Sequence, residues 1–159
     1  MKIGILGLPQ AGKRTLFSLL TGRSVPESRR PGEALEGIAP IRDPRVDALT
    51  RICRPQRTTY AENSFILCPD LVEGTGQRAW LDAARRCDLL CLLVRDFKSD
   101  QVYHPAGSVD LKRDRTLLDA ELILADLEIL LNRLNRIDKE KKAGQSAAQA
   151  IEETALRKC

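Results

Sequence analysis

Nine consecutive residues carry the clearest chemistry in this chain: Gly7-Leu8-Pro9-Gln10-Ala11-Gly12-Lys13-Arg14-Thr15. Two glycines five positions apart, followed at once by a lysine, are the spacing of a Walker A phosphate loop. The reasons are physical. Gly7 and Gly12 allow a tight wrap that turns backbone N–H groups toward phosphate oxygens. A helix opening at Lys13 adds partial positive charge at its N-terminus. The Lys13 ammonium then acts as a point charge toward the outer phosphates. One position departs from the pattern. The residue after the lysine is ordinarily Ser or Thr, whose hydroxyl binds Mg²⁺; here it is Arg14. Thr15 comes next, but one residue is about 100° around a helix, so its hydroxyl points elsewhere. The expected phosphate-contacting set is Gly7, Pro9, Gln10, Ala11, Gly12, Lys13, Arg14 and Thr15, with no metal ligand among them.

Other reactive residue types offer less. The five cysteines, Cys53, Cys68, Cys87, Cys91 and Cys159, form no C-x-x-C pair and have no histidine at metal spacing. Reduced thiols in a cytoplasmic protein are the expectation. His104, the single histidine, reads as a loop or capping residue rather than a catalytic one. Arg95 and Asp96 end an apolar run, where α/β sites gather, yet a solvated pair is the plainer reading. Trp80 reads as core.

Charge is uneven. Lys and Arg total 26 and Asp and Glu 22, a net +4. Residues 1–60 hold 11 basic and 5 acidic side chains, so the basic excess lies in the part that contains the loop. That suits a polyanion, a nucleotide or RNA. Aromatics make up only 4% of the chain, which argues against base stacking as the main activity. No apolar run approaches the ~20 residues needed to span a membrane.

The elements that must position the loop follow from apolar patterning. Residues 2–6 read as a buried strand, and Lys13 to Thr21 as a helix ended by Gly22. Residues 23–36, rich in Arg, Pro, Glu and Gly, read as a surface loop. Asp43-Pro44 opens a helix with Val46, Leu49 and Ile52 on one face. Further strands are expected over 64–68 and 88–94, with a short helix over 77–87 between them. Alternation of strands and helices predicts an α/β fold, a P-loop parallel sheet with helices on both faces. From Asp114 to Lys142 there is no proline or glycine; Leu117, Ala120, Leu124, Leu127, Leu131 and Leu134 recur at three and four spacing, and Ile123, Leu130 and Ile137 widen that seam. This predicts a long helix of coiled-coil character, closed by Lys141-Lys142-Ala143-Gly144 and followed by a second helix over 145–158.

Several of these segments together resemble the YchF/Obg-like ATPase family. Lys2 to Phe17 (KIGILGLPQAGKRTLF) is similar to that family's opening KIGIVGLPNVGKSTLF. Gly37 to Val46 (GIAPIRDPRV), Pro55 to Thr58 (PQRT), His104 to Asp114 (HPAGSVDLKRD) and Glu121 to Glu128 (ELILADLE) match in order. The resemblance covers nearly the whole chain, most weakly at 23–36 and 72–86. It implies ATP or GTP as ligand, Mg²⁺ as its companion and work around ribosomes. It also implies an antiparallel helical hairpin inserted in the nucleotide domain, here a partial domain over 1–113 and a hairpin over 114–159 whose return arm is incomplete. The family's base-reading motif and last strands lie beyond what this chain contains, as expected for a fragment or a shortened relative.

The resemblance also marks departures. The family's DIAG segment falls on Leu67-Cys68-Pro69-Asp70. Its Asp, which acts on Mg²⁺ through water, is Leu67. Its Gly, whose N–H senses the outermost phosphate, is Asp70. No threonine lies in 23–36 to complete a metal shell. The leading expectation is therefore phosphate binding with weak or lost Mg²⁺-dependent hydrolysis. The alternatives are an active ATP-preferring enzyme, or a nucleotide-free scaffold that contacts protein or RNA through its hairpin. The hairpin seam also offers a route to self-association.

Overall fold

The computed structural model describes residues 1–26, 30, 32–71, 78–141 and 146–159. The chain divides into two compact units, Met1–Leu118 and Asp119–Cys159.

In the first unit, the apolar run at the N-terminus forms β1 (Lys2–Gly7), buried from Ile3 onward. After the loop comes α1 (Lys13–Thr21), which ends where Gly22 takes a left-handed φ of 68° and its N–H bonds the Ser18 carbonyl. β2 (Leu35–Ile41) follows, then α2 (Pro44–Cys53), opened by Asp43, whose side chain accepts from Arg45 N–H, with Pro44 in the first turn. β3 (Ala61–Leu67), α3 (Ala79–Ala84) and β4 (Leu89–Leu93) complete the sheet, and α4 (Leu111–Lys141) begins in this unit.

The strand order is β2-β3-β1-β4. β1 lies parallel to both β3 and β4, with Ile5 opposite Leu67 and Cys91. β2 is antiparallel to β3, with Gly37 opposite Phe65. The expected parallel sheet is thus its three-stranded centre, and an antiparallel strand joins it. Residues 35–36 fall in the expected surface loop, and the sequence pattern predicts no strand over 37–41. Gly37 and Pro40 hide the strand pattern. Pro40 donates nothing to a ladder, and a strand paired along one side only tolerates that.

Helices cover both faces. Ile5, Phe17 and Leu67 form the buried core under α1, flanked by Leu16, Val25, Leu35 and Phe65. On the opposite face Gly4 lies against Cys87, just beyond α3, where a Cβ would come within 2.9 Å of Cys87 Sγ. Trp80, Ala83 and Ala84 of α3 are buried there, which confirms Trp80 as core.

The second unit contains the rest of α4 and α5 (Ala147–Leu156). Ser146 opens α5 with a capping box shared with Gln149. Arg133 meets Glu152 at 2.6 Å, and Gln149 donates to Glu140 at 2.7 Å. Positions rising along α4 meet positions falling along α5, so the two helices run antiparallel. Lys141 adds an ion pair to Glu153 at 2.6 Å. The expected helix stop at 142–144 and the start of the next helix at 145 lie outside the described residues, as does Glu27 to Arg29 of the surface loop.

The expected seam of α4 is buried only in part. Ile137, which widens it, is buried, as is Ala125 outside it, whereas Leu124, Leu127 and Leu131 stay about half exposed. α5 has 10 residues against 31 in α4, so it spans only part of its partner.

Candidate functional site

The loop between β1 and α1 is shaped by three backbone constraints. Gly7 ends β1 where a Cβ would sit 2.3 Å from the Leu93 carbonyl oxygen, so only glycine fits between the strands. Gln10 takes a left-handed φ of 61°, uncommon for a residue with a side chain. Gly12 follows at φ 92° and caps α1 without any side-chain bond to the helix N–H groups. No acidic residue occupies the first turn of α1. The partial positive charge of its N-terminus therefore faces the loop with no carboxylate from its own first turn against it. Ala11 is buried in the turn, and Pro9 is half-buried.

Lys13 is buried, 4% exposed. Its ammonium donates to the Gly7 carbonyl at 2.7 Å and the Leu8 carbonyl at 2.6 Å. It also contacts the Asp70 carboxylate at 2.7 Å. Asp70 is brought there by the sheet. The chain after β3 continues alongside β1, with Cys68 N–H bonded to the Ile5 carbonyl and Leu71 N–H to the Gly7 carbonyl. The side chains of Cys68 and Leu71 are buried, and that of Asp70 is about half exposed. In sequence Asp70 stands out as a charge where the resembled family has glycine, and nothing there marks it as the partner of Lys13. That pairing joins positions 57 residues apart and depends on β3 lying beside β1.

Arg14 and Thr15 are exposed in the first turn of α1. The Arg14 guanidinium donates to the Pro26 carbonyl at 2.8 Å. Leu67 is 1% exposed and belongs to the apolar core.

A second cluster lies in the segment after β4. Arg95 is buried and is not the solvated residue the sequence suggested. Its guanidinium donates to the carbonyls of Phe97, Val102 and Tyr103 and stacks over the Phe97 ring at 4.6 Å. It thus ties a loop together, and its charge is spread over carbonyl dipoles. Beside it is a cavity of about 620 Å³ bordered by Lys98, Gln101, Tyr103 and His104. His104 is buried. Its Nδ1 accepts from Ala106 N–H at 3.1 Å, which leaves Nε2 to donate to Asp114 at 2.9 Å. Arg113 closes on the other Asp114 oxygen from two nitrogens. Both ring nitrogens are satisfied, so His104 latches the start of α4, in keeping with a capping role. Among the described residues, no group of three or more His, Cys, Asp or Glu side chains is arranged to hold a metal ion. No described helix is long and apolar enough to cross a membrane.

No family model matches the chain. It does have close curated relatives. It is 34% identical over 166 residues to the ribosome-binding ATPase YchF of Shigella flexneri, covering 99% of this chain and 46% of that protein. To the protein of the same name from Haemophilus influenzae it is 35% identical over 157 residues, covering 93% and 43%. To that of Bacillus subtilis it is 32% identical over 147 residues, covering 87% and 40%. Among solved structures, the Schizosaccharomyces pombe YchF GTPase matches with a TM-score of 0.75 at 25% identity, over 99% of this chain and 45% of the other. The chain spans a little under half the length of these relatives.

Proposed function

Because this chain belongs to the YchF/Obg-like ATPase family, we propose that its 7–15 loop binds the phosphates of ATP or GTP or of their diphosphates. Gly7, Pro9, Gln10, Ala11 and Gly12 supply the wrapped backbone. Lys13 supplies the charge, and Arg14 and Thr15 open the helix whose N–H groups face the ligand. One observation carries this reading: a buried ammonium, held by two carbonyls of its own loop, at the head of a helix with no acidic residue in its first turn. A buried lysine is costly unless it is paired, and here its position is the one a phosphate requires. Replacing Lys13 with Ala should weaken nucleotide binding about tenfold or more, ~1.4 kcal/mol. An unchanged dissociation constant would overturn the reading.

Among the described residues, the donors around the loop do not fit a magnesium ion. Arg14 offers a cation engaged by Pro26, Leu67 offers hydrocarbon, and the Asp70 carboxylate is engaged by Lys13. Mg²⁺ wants several oxygen ligands in near-octahedral array. Without it, charge neutralisation in phosphoryl transfer is weak. The proposed activity is therefore phosphate binding with slow or no hydrolysis. By extension from the names of its relatives, the proposed setting is the ribosome and the cytoplasm, with RNA or ribosomal protein as partner. The half-exposed Leu124, Leu127 and Leu131 support a further proposal, that this stripe of α4 is covered by association with a second copy.

A further inference from the structure

We propose that Asp70 makes the loop selective for a nucleoside diphosphate over the matching triphosphate, its carboxylate standing where the outermost phosphate would meet Lys13. The proposal rests on the reading of 7–15 as a phosphate loop and names its ligand class more closely.

The argument begins with the lysine. An ammonium has three N–H donors. Among the described residues, three oxygens lie at bonding distance: Gly7 O at 2.7 Å, Leu8 O at 2.6 Å and Asp70 Oδ1 at 2.7 Å. Two of those partners belong to the loop and stay with it. The third is an anion, and it takes the donor that an outer phosphate oxygen would use. The main chain that carries Asp70 is held in place. The backbone on both sides of Asp70 is pinned to β1 by the bonds from Cys68 and Leu71. Pro69 limits the turn further and is buried, as are Cys68 and Leu71. Asp70 is the residue of this segment whose side chain reaches solvent, and it does so at the mouth of the loop.

Charge then decides between ligands. A triphosphate brings its last and most charged group toward Lys13. To bond there it must displace the carboxylate or lie against it. Two anions at contact repel strongly where water is partly excluded. Displacement leaves Asp70 beside the phosphate it gave way to, because its backbone is held. A diphosphate can sit on the helix N-terminus and the loop N–H groups with Asp70 in place. Magnesium ordinarily eases such crowding, and among the described residues the donors that would hold it do not fit.

The test is calorimetric titration of the chain with ADP, ATP, GDP and GTP in EDTA, alongside Asp70→Asn and Asp70→Gly. The asparagine keeps the shape and removes the charge; the glycine removes the side chain. Asp70 is half exposed, so neither change opens the core. The natural chain should bind the better diphosphate at least about tenfold tighter than its triphosphate. Both variants should bring that ratio within about threefold, mainly by gaining triphosphate affinity. A ratio that is the same in natural chain and variants, or one that favours triphosphate in the natural chain, overturns the role of Asp70. Failure of all three proteins to bind any of the four nucleotides would instead sink the phosphate loop itself, and this proposal with it.

Discussion

Replacing Gly7 with Ala should cost stability and ligand binding together, through a contact visible at one atom. The new Cβ would lie 2.3 Å from the Leu93 carbonyl oxygen, with the Leu93 carbonyl carbon at 3.3 Å and Lys13 Cδ at 3.5 Å. Cβ atoms essentially never approach closer than 3.0 Å, so Gly7 and Leu93 must separate by at least 0.7 Å. Both obstacles at Leu93 are backbone, and no rotamer change relieves them. Overpacking of this kind costs about 1–3 kcal/mol, which for a chain of this length lowers the melting midpoint by roughly 2–12 °C. The same shift moves the Gly7 carbonyl, which accepts from both Lys13 and Leu71, so the ammonium loses its seat. Gly12→Ala is the comparison. Among the described residues nothing lies within 4 Å of its Cβ, and its penalty is the left-handed φ of 92°, about 1–2 kcal/mol without strand separation. Thermal unfolding by circular dichroism and nucleotide titration should therefore show both variants destabilised. Only Gly7→Ala should disturb β4, read as amide shifts at 89–93. If Gly7→Ala melts with the natural chain and binds as well, the steric reasoning is wrong.

Four other outcomes are expected. Adding millimolar Mg²⁺ in place of EDTA should change the nucleotide affinity of the natural chain little, and Arg14→Ser should alter the affinity in EDTA by less than about threefold, because the guanidinium is engaged by Pro26; strong stimulation of binding and turnover by Mg²⁺ would mark an ordinary NTPase. Phe17→Ala empties the centre of the Ile5–Leu67 core and should cost about 3–5 kcal/mol in denaturant titration. The Arg133 guanidinium holds the Glu152 carboxyl below its ordinary value of 4.5. A depressed folded value means this contribution is complete above the ordinary value and disappears as pH falls through the lower one. Glu152→Gln should flatten that part of the acid limb of a melting-midpoint profile, and identical profiles would refute it. Finally, a Leu124→Glu, Leu131→Glu double variant should sediment as a monomer at concentrations where the natural chain associates; a natural chain that is already monomeric at micromolar concentration would rule out the proposed second copy.

Much of this molecule was legible in its residues because the signals are local. The glycine spacing, Lys13 and the capping pattern of α1 depend on neighbours within one turn, and so does the run of apolar residues in β1 and β4. The amphipathic length of α4 and its return by α5 were legible for the same reason. Other features required the sheet. β2 escaped notice because Pro40 and Gly37 break the period of a strand, and only its place beside β3 makes that tolerable. Arg95 read as a solvated charge because the carbonyls that hold it come from a loop up to eight residues on. Spacing marks the seam of α4, but which of its residues are buried depends on packing that spacing does not report: Ala125 and Ile137 are buried, and Leu124, Leu127 and Leu131 are not. The pairing of Asp70 with Lys13 is the sharpest case. Each residue was conspicuous in sequence. Their contact at 2.7 Å exists because β3 runs parallel to β1 and hands the following turn to the loop. Spacing along the chain reports which chemical groups are present, whereas strand order determines which of them share a proton donor.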